Sequence, residues 1–213
     1  MTFADFTFLL NGLKWTVLLT AIGFIGGIPF GLAVALARHS SNRVICSIAR
    51  AWIGLFQGTP LLMQLFVVYF GLPILGLEVA PWLAVGMAFT AHASAFLGDI
   101  WRGAIEAVPR GQTEACHALG LNYRTTMKEI ILPQAFRLSL PATIGFLVQL
   151  VKGTSLSAIV GFVELSRSGQ MLSNLIYKPL LVFGVVGILY FIICWPVSLI
   201  GRHLEKQLPA SSR

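Results

Sequence analysis

Chemistry in this sequence is confined to a few polar side chains set in or beside long apolar stretches. Lys152, followed by Thr154 and Ser155, interrupts one such stretch, and Glu164 comes just after it. Asp99 and Arg102 are three residues apart, a spacing that lets opposite charges pair on one face of a helix. Gln64, Thr90, His92 and Ser94 place hydrogen-bonding groups inside other apolar stretches, and Gln149 does so in the same one as Lys152. An ionisable group surrounded by lipid-solvated residues is costly to bury, so Lys152 is a functional candidate by its position alone. The alternative is that its helix ends there. Lys152 lies 15 residues after Arg137, about 22 Å along a helix, where its amine could snorkel to an interface.

Other chemistries lack their residues. The sequence has no His-Glu-x-x-His, no Gly-x-Ser-x-Gly and no pair of acids within an apolar stretch, which argues against hydrolytic catalysis. Gly-Lys never occurs as a dipeptide, so there is no phosphate-binding loop and no expected ATP hydrolysis on this chain. Cys46 and Cys116 are expected in loops and Cys194 in a span; their spacing suits neither a metal nor a disulfide framework, and they read as free thiols.

The elements that must position the polar residues follow from composition. Of 213 residues, 56% are hydrophobic and 11% charged, too few charges to cover a water-soluble globule, so lipid is the solvent for most of the chain. The expected fold is an all-α integral membrane domain over 1–213, with about five transmembrane helices near 15–37, 51–73, 79–98, 136–160 and 180–201. The first, second, third and fifth contain no Asp, Glu, Lys or Arg. Ala33-Val34-Ala35 resembles a signal-cleavage site, but the apolar run is too long and further spans follow, so a permanent first helix is expected. Gly23, Gly26 and Gly27 within it suit close helix contact.

Basic residues cluster in alternate connections. Arg38, Arg43 and Arg50, then Arg102, Arg110, Arg124, Lys128 and Arg137, then Arg202, Lys206 and Arg213 mark the cytoplasmic side. Only Lys14, Lys152, Arg167 and Lys178 fall opposite, which puts the amino terminus outside and the carboxyl terminus inside. This bias accounts for the net charge of +7, and no basic run interleaved with aromatics suggests nucleic-acid binding.

One connection, 99–135, is too patterned to be a mere linker. Thr113 is the expected N-cap of a short helix with Glu114 in its first turn, and Gly120 suits the left-handed residue that ends it. Ala115, Ala118 and Leu119 form a small apolar face fit for a groove on another protein or for the spans. Asn122 is placed to cap a second helix, and Pro133 to start the fourth span.

In that loop, Glu114-Ala115-Cys116, then Gly120, then Ile130 and Leu132-Pro133 resemble the cytoplasmic "EAA" loop of permeases of ATP-binding-cassette importers, with Cys116 where the family has Ala. Gly58-Thr59-Pro60-Leu61-Leu62, Gln64-Leu65-Phe66, Tyr69 to Pro73, Pro109 to Gln112, Leu132 to Ala135, Lys152 with Thr154-Ser155-Leu156, and Glu164-Leu165 resemble the polar amino-acid subfamily, the histidine, glutamine and arginine type. The resemblance runs over about 52–165. Gln57, Asp99, Gly145 and Gly153 depart from it, standing where the subfamily usually has Arg, Glu, Asn and Asp.

The resemblance implies a type I importer architecture in a bacterial cytoplasmic membrane. An extracytoplasmic binding protein would deliver solute, a second permease chain of the same or a related sequence would complete the path, and ATPase subunits carrying ATP and Mg would bind from the cytoplasm. The coupling residues it implies are Glu114, Ala115, Cys116, Ala118, Leu119 and Gly120, although a first-turn Glu114 could instead merely stabilise its own helix. Candidates for the path are Gln64, Thr90, His92, Ser94, Gln149, Lys152, Thr154, Ser155 and Glu164. Of these, His92 has a packed, hydrogen-bonded alternative, and Glu164 could instead meet Arg167, the binding protein or solvent. Asp99 and Arg102 are expected as a gate or structural pair. The rival class is an ion-coupled secondary transporter or channel without an ATPase, which usually needs carboxylates within its spans.

Overall fold

In a computed structural model, which describes residues 1–40 and 42–207, the regular elements are all helical. Arg213 lies outside the described residues. Helix α1 (Phe3–Arg38) begins twelve residues before the expected span, because Thr2 and Asp5 form a reciprocal cap. The Thr2 hydroxyl accepts from the Asp5 amide at 3.3 Å and the Asp5 carboxylate accepts from the Thr2 amide at 2.6 Å. Its 36 residues make a rod of about 54 Å, longer than a hydrocarbon core of about 30 Å.

Helix α1 packs along α4 (Pro81–Glu106) through a stripe of glycines. A Cβ added to Gly23, Gly27 or Gly31 would stand 2.7, 2.6 and 3.0 Å from the Cβ atoms of Phe89, Ala93 and Leu97. The four-residue spacing on both helices puts these contacts one turn apart, so the backbones touch where no larger residue would fit. The expected close approach at Gly23 and Gly27 is therefore present, and Gly26 lies against Thr90. Phe89, Ala93 and Leu97 are fully buried, while Leu18, Ile25 and Phe30 face outward from α1 as a lipid-solvated helix requires.

The stretch expected as one helix over 51–73 is two, α2 (Arg43–Gly58) and α3 (Leu61–Ile74), bent by 104°. Pro60 supplies no amide to continue the ladder and holds Thr59 extended at ψ 143°, so the helix stops and restarts. Cys46, expected in a loop, lies in α2. Among the described residues, four helices are long and apolar enough to cross a bilayer, or five spans if the bent pair is one of them.

After α4 the chain forms α5 (Arg110–Ala118), a single turn α6 (Tyr123–Thr125), and a π-helical segment at Thr126–Ile131 that runs into α7 (Leu132–Gly153). A 3-10 turn (Thr154–Ala158) leads to the short α8 (Leu165–Ile176), and α9 (Pro179–Lys206) closes the bundle. The core between α1, α3, α4 and α7 contains Leu19, Leu65, Phe89, Leu97, Phe146 and Leu150.

Candidate functional site

The broken span creates a polar hollow. Where α2 stops, the carbonyls of Phe56 and Thr59 lose their helical partners, and an unpaired carbonyl at membrane depth is costly. Gln64, one turn into α3, donates its amide to both, at 2.8 and 3.0 Å. With the amide nitrogen committed, Gln64 Oε1 is left to accept from His92 Nδ1 of α4 at 2.9 Å. The hinge is thereby clamped to α4.

Beside this clamp lies a cavity of about 470 Å³. The hinge contributes Phe56, Gln57, Thr59 and Leu61; α4 contributes His92 and Phe96; α7 contributes Phe146, Gln149, Leu150, Lys152 and Gly153; the 3-10 turn adds Ser155 and Leu156. Phe96 stacks on Phe146 with ring centres 5.4 Å apart and lies tilted against His92 at 4.4 Å, forming an aromatic wall. Lys152 stands in the last turn of α7, where a cation also suits the helix dipole. It borders a second cavity of about 320 Å³ as well, against Tyr190, Cys194, Trp195 and Ser198 of α9.

At one end of the cavity, Gln57 donates to Asp99 at 3.1 Å, and Asp99 pairs with Arg102 at 2.9 Å. Arg102 also bonds Glu106. The expected Asp99–Arg102 pair is thus present and extended into a chain from α2 along α4.

The loop after α4 carries a different surface. Pro109 stands at the N-cap of α5 and Arg110 is its first residue, so Thr113 lies inside the helix and does not cap it. Glu114 is accordingly in the middle of α5 and not in its first turn, because Pro109 starts the helix one turn earlier than expected. Dipole stabilisation falls off within the first turn, so that alternative role for Glu114 loses its basis. Gly120 is left-handed at φ 71°, and the amides of Gly120 and Leu121 return to the carbonyls of His117 and Cys116 at 3.0 Å each. Such a closure satisfies the helix end internally. Cys116 is buried, whereas Glu114, Ala115, Ala118 and Leu119 are exposed, Leu119 to 78%. Asn122 caps α6 through the Thr125 amide at 2.9 Å, as expected, and Pro133 lies in the first turn of α7.

Residues 27–208 match the family described as "Binding-protein-dependent transport system inner membrane component". The chain belongs to that family. It is 31% identical to the arginine transport system permease protein ArtQ of Bacillus subtilis over 99% of this chain and 96% of that protein. It is 32% identical to the glutamine transport system permease protein GlnP of Escherichia coli over 94% of this chain and 92% of that one. A crystal structure of an amino acid ABC transporter with histidines superposes with a TM-score of 0.89 at 29% identity, covering 98% of this chain and 99% of that chain. An inward-facing MetNI methionine ABC transporter shares the fold, with a TM-score of 0.76 at 21% identity over 98% of this chain and 100% of that chain.

Within this transport component, the sequence-derived path residues separate into two groups. His92, Gln149, Lys152 and Ser155 meet at the larger cavity. Gln64 braces the hinge behind it; Thr90 packs on α1, its hydroxyl 3.4 Å from the Ile22 carbonyl; Ser94 accepts from Trp52 at 3.0 Å; Thr154 is buried and turned back to the Val151 carbonyl at 2.7 Å. Glu164 is neither in solvent nor paired with the Arg167 side chain. It is fully buried as the N-cap of α8, accepting from the amides of Ser166 and Arg167 and the Tyr190 hydroxyl, each at 2.9 Å, and from the Thr16 hydroxyl at 3.2 Å. Burial pushes the Glu164 carboxyl above its ordinary range, while these four donors pull it back. Phe56, Gln57, Thr59, Phe96 and Phe146 were not anticipated as cavity residues; the Gly58-Thr59-Pro60 break within an apolar stretch was the signal for the first three.

Proposed function

We propose that this permease carries a polar amino acid or a similar solute inward through the cavity at the α2–α3 hinge. The observation that carries the reading is the cavity itself: three elements of an otherwise apolar bundle converge His92, Gln149, Lys152 and Ser155 on one hollow. Ligand sites are of this kind, concave and mostly apolar with a few placed polar groups. Lys152 receives the solute carboxylate. The named amino-acid substrates of the relatives support that class of solute.

In this reading the amino terminus is outside and the α5 loop and carboxyl terminus are cytoplasmic, in agreement with the arginine and lysine bias. A binding protein delivers solute from outside. A second permease chain, identical or related, completes the assembly, and partner ATPase subunits bind ATP and Mg. The exposed face of Glu114, Ala115, Ala118 and Leu119 docks in a groove on the ATPase, and closure of the ATPase pair moves α5 and rocks the spans. The self-capped end of α5 suits it to transmit motion as a rigid unit.

The test is purification of the tagged chain from its native membrane in detergent, with co-purifying subunits identified. ATPase activity is then measured with and without amino acids and binding protein. A co-purifying ATPase stimulated by an amino acid is the expected result. A chain that purifies alone and moves solute in liposomes would overturn the proposal in favour of a secondary carrier.

A further inference from the structure

We infer that the apolar groove between α1, α4 and α7 holds an acyl chain of an anionic phospholipid of the cytoplasmic leaflet, with the headgroup phosphate at Arg38 and Arg137. The leaflet is named from the orientation proposed above; the groove and its cations stand without it.

The groove encloses about 400 Å³ and shares no lining residue with the hinge cavity. On α1 its stripe runs from Phe24 to Ala35, α4 adds Trp101 and Ile105, and α7 lines the other side between Leu132 and Thr143. The three polar side chains of the lining are engaged within the chain. Trp101 Nε1 donates to Thr143 Oγ1 at 3.1 Å, and the Ser139 hydroxyl donates to the Phe136 carbonyl at 2.8 Å. No placed polar group of the kind that orients a small polar solute is left over. Leu32 of the α1 stripe is 47% exposed, so the groove opens sideways, where a membrane supplies lipid.

Its length suits one leaflet. Phe24 lies near the middle of the 15–37 span and Ala35 near its cytoplasmic end, a distance of about 16 Å, close to half of a hydrocarbon core of about 30 Å. An acyl chain ends at mid-bilayer, whereas a spanning helix of another chain continues past it.

The mouth carries the charge. Gly31 of α1 faces Leu97 of α4, and in the same register Arg38 is level with Ala104. Ala104 and Ala135 belong to one buried cluster, and Arg137 follows Ala135 by two residues. Arg38 and Arg137 therefore stand at about the same depth on the two walls. Asp99 and Glu106 of α4 are both paired with Arg102. Arg38 donates to the Cys46 sulfur at 3.2 Å, and among the described residues neither it nor Arg137 forms an ion pair. Basic groups between spans at this side of a membrane attract anionic headgroups, each by about fivefold in affinity.

The experiment uses the permease with its co-purifying subunits in mild detergent, stripped of loosely held lipid and titrated with dioleoyl phosphatidylglycerol or dioleoyl phosphatidylcholine. Bound lipid is counted by native mass spectrometry, and melting temperature is read on the same samples. The expected result is one retained phosphatidylglycerol per permease chain with a raised melting temperature, and phosphatidylcholine binding weaker by about tenfold or more. Arg38→Gln and Arg137→Gln each reduce that preference by about fivefold. Leu32→Trp and Leu140→Trp fill the groove from opposite walls and lose the retained lipid, whereas Leu18→Trp, on the outward face of α1 away from the groove, keeps it. The two filling variants are compared at a lipid-free melting temperature equal to the parent's. A photo-crosslinking residue in place of Leu32, irradiated in the native membrane, gives an independent reading that needs no filled groove, and a phospholipid adduct is expected.

Lipid retained equally by the parent and both filling variants would show surface lipid only and overturn the site. Equal affinity for the two lipids would overturn the assignment of Arg38 and Arg137 to the headgroup. A crosslink from position 32 to a second permease chain or another subunit, without a lipid adduct, would overturn the lipid as occupant and give the groove to that protein.

Discussion

His92 and Gln64 are joined across the hinge by a 2.9 Å hydrogen bond from Nδ1 to Oε1, and the same Gln64 amide serves the carbonyls of Phe56 and Thr59. One side chain therefore satisfies three groups that the break at Pro60 and the burial of His92 leave open. Gln64→Leu keeps the volume and removes all of these bonds. Since His92 is buried and a buried unsatisfied group costs about 1–3 kcal/mol, the variant should melt clearly below the parent in detergent. An unchanged melting temperature would mean that the hinge does not depend on Gln64.

The α1–α4 contact admits a paired test. Gly27 faces Ala93 so closely that a Cβ there would lie 2.6 Å from the Ala93 Cβ. Gly27→Ala should destabilise by about 1–3 kcal/mol, typical of overpacking, and Ala93→Gly in the same chain should recover most of the loss. Because the two residues touch, their effects should be non-additive. Additive losses in thermal melts would contradict the close packing of α1 on α4.

Glu164 gives a pH signature. Its carboxyl lies above the ordinary value of 4.5 because of burial, so between that value and its raised one the folded chain holds a proton that the unfolded chain has released. Stability then falls as pH rises through that window and levels off above it. Glu164→Gln removes this contribution, so the parent's stability relative to the variant should decline with pH. Melting curves between about pH 4 and pH 8 decide the point. A relative stability that stays flat or climbs with pH would rule out the raised carboxyl.

Much of this architecture was legible from residue type and spacing. The apolar runs, the Asp99–Arg102 pair and the glycine that closes α5 act locally, where periodicity and cap chemistry are informative, while the small residues at 23 and 27 were marked by their type although their partners on α4 were not. The failures share a cause. The Thr16 and Tyr190 hydroxyls come from α1 and α9, and only packing brings them to the Glu164 carboxylate at the start of α8, so spacing alone left Glu164 among path, binding-protein and solvated alternatives. Gln64 looked like a path residue because its two hinge carbonyls exist only once Pro60 has broken the span. Thr113 looked like an N-cap because Pro109 fills that role without any side-chain hydrogen bond to announce it.

The α5 surface provides the sharpest separation of folding from coupling. Ala115 and Glu114 are exposed and, among the described residues, Glu114 forms no ion pair. Ala115→Arg and Glu114→Lys should therefore change the stability of the chain by no more than about 0.5 kcal/mol, as surface substitutions do. Each should nevertheless abolish the stimulation of a partner ATPase by solute, because in the proposed docking both residues face the partner groove, which the arginine would overfill and the lysine would meet with reversed charge. Melting temperature and solute-stimulated ATPase activity are measured on the same preparations. A fall in melting temperature would show that this face packs on its own chain. Full stimulation at parental stability would remove α5 as the coupling element.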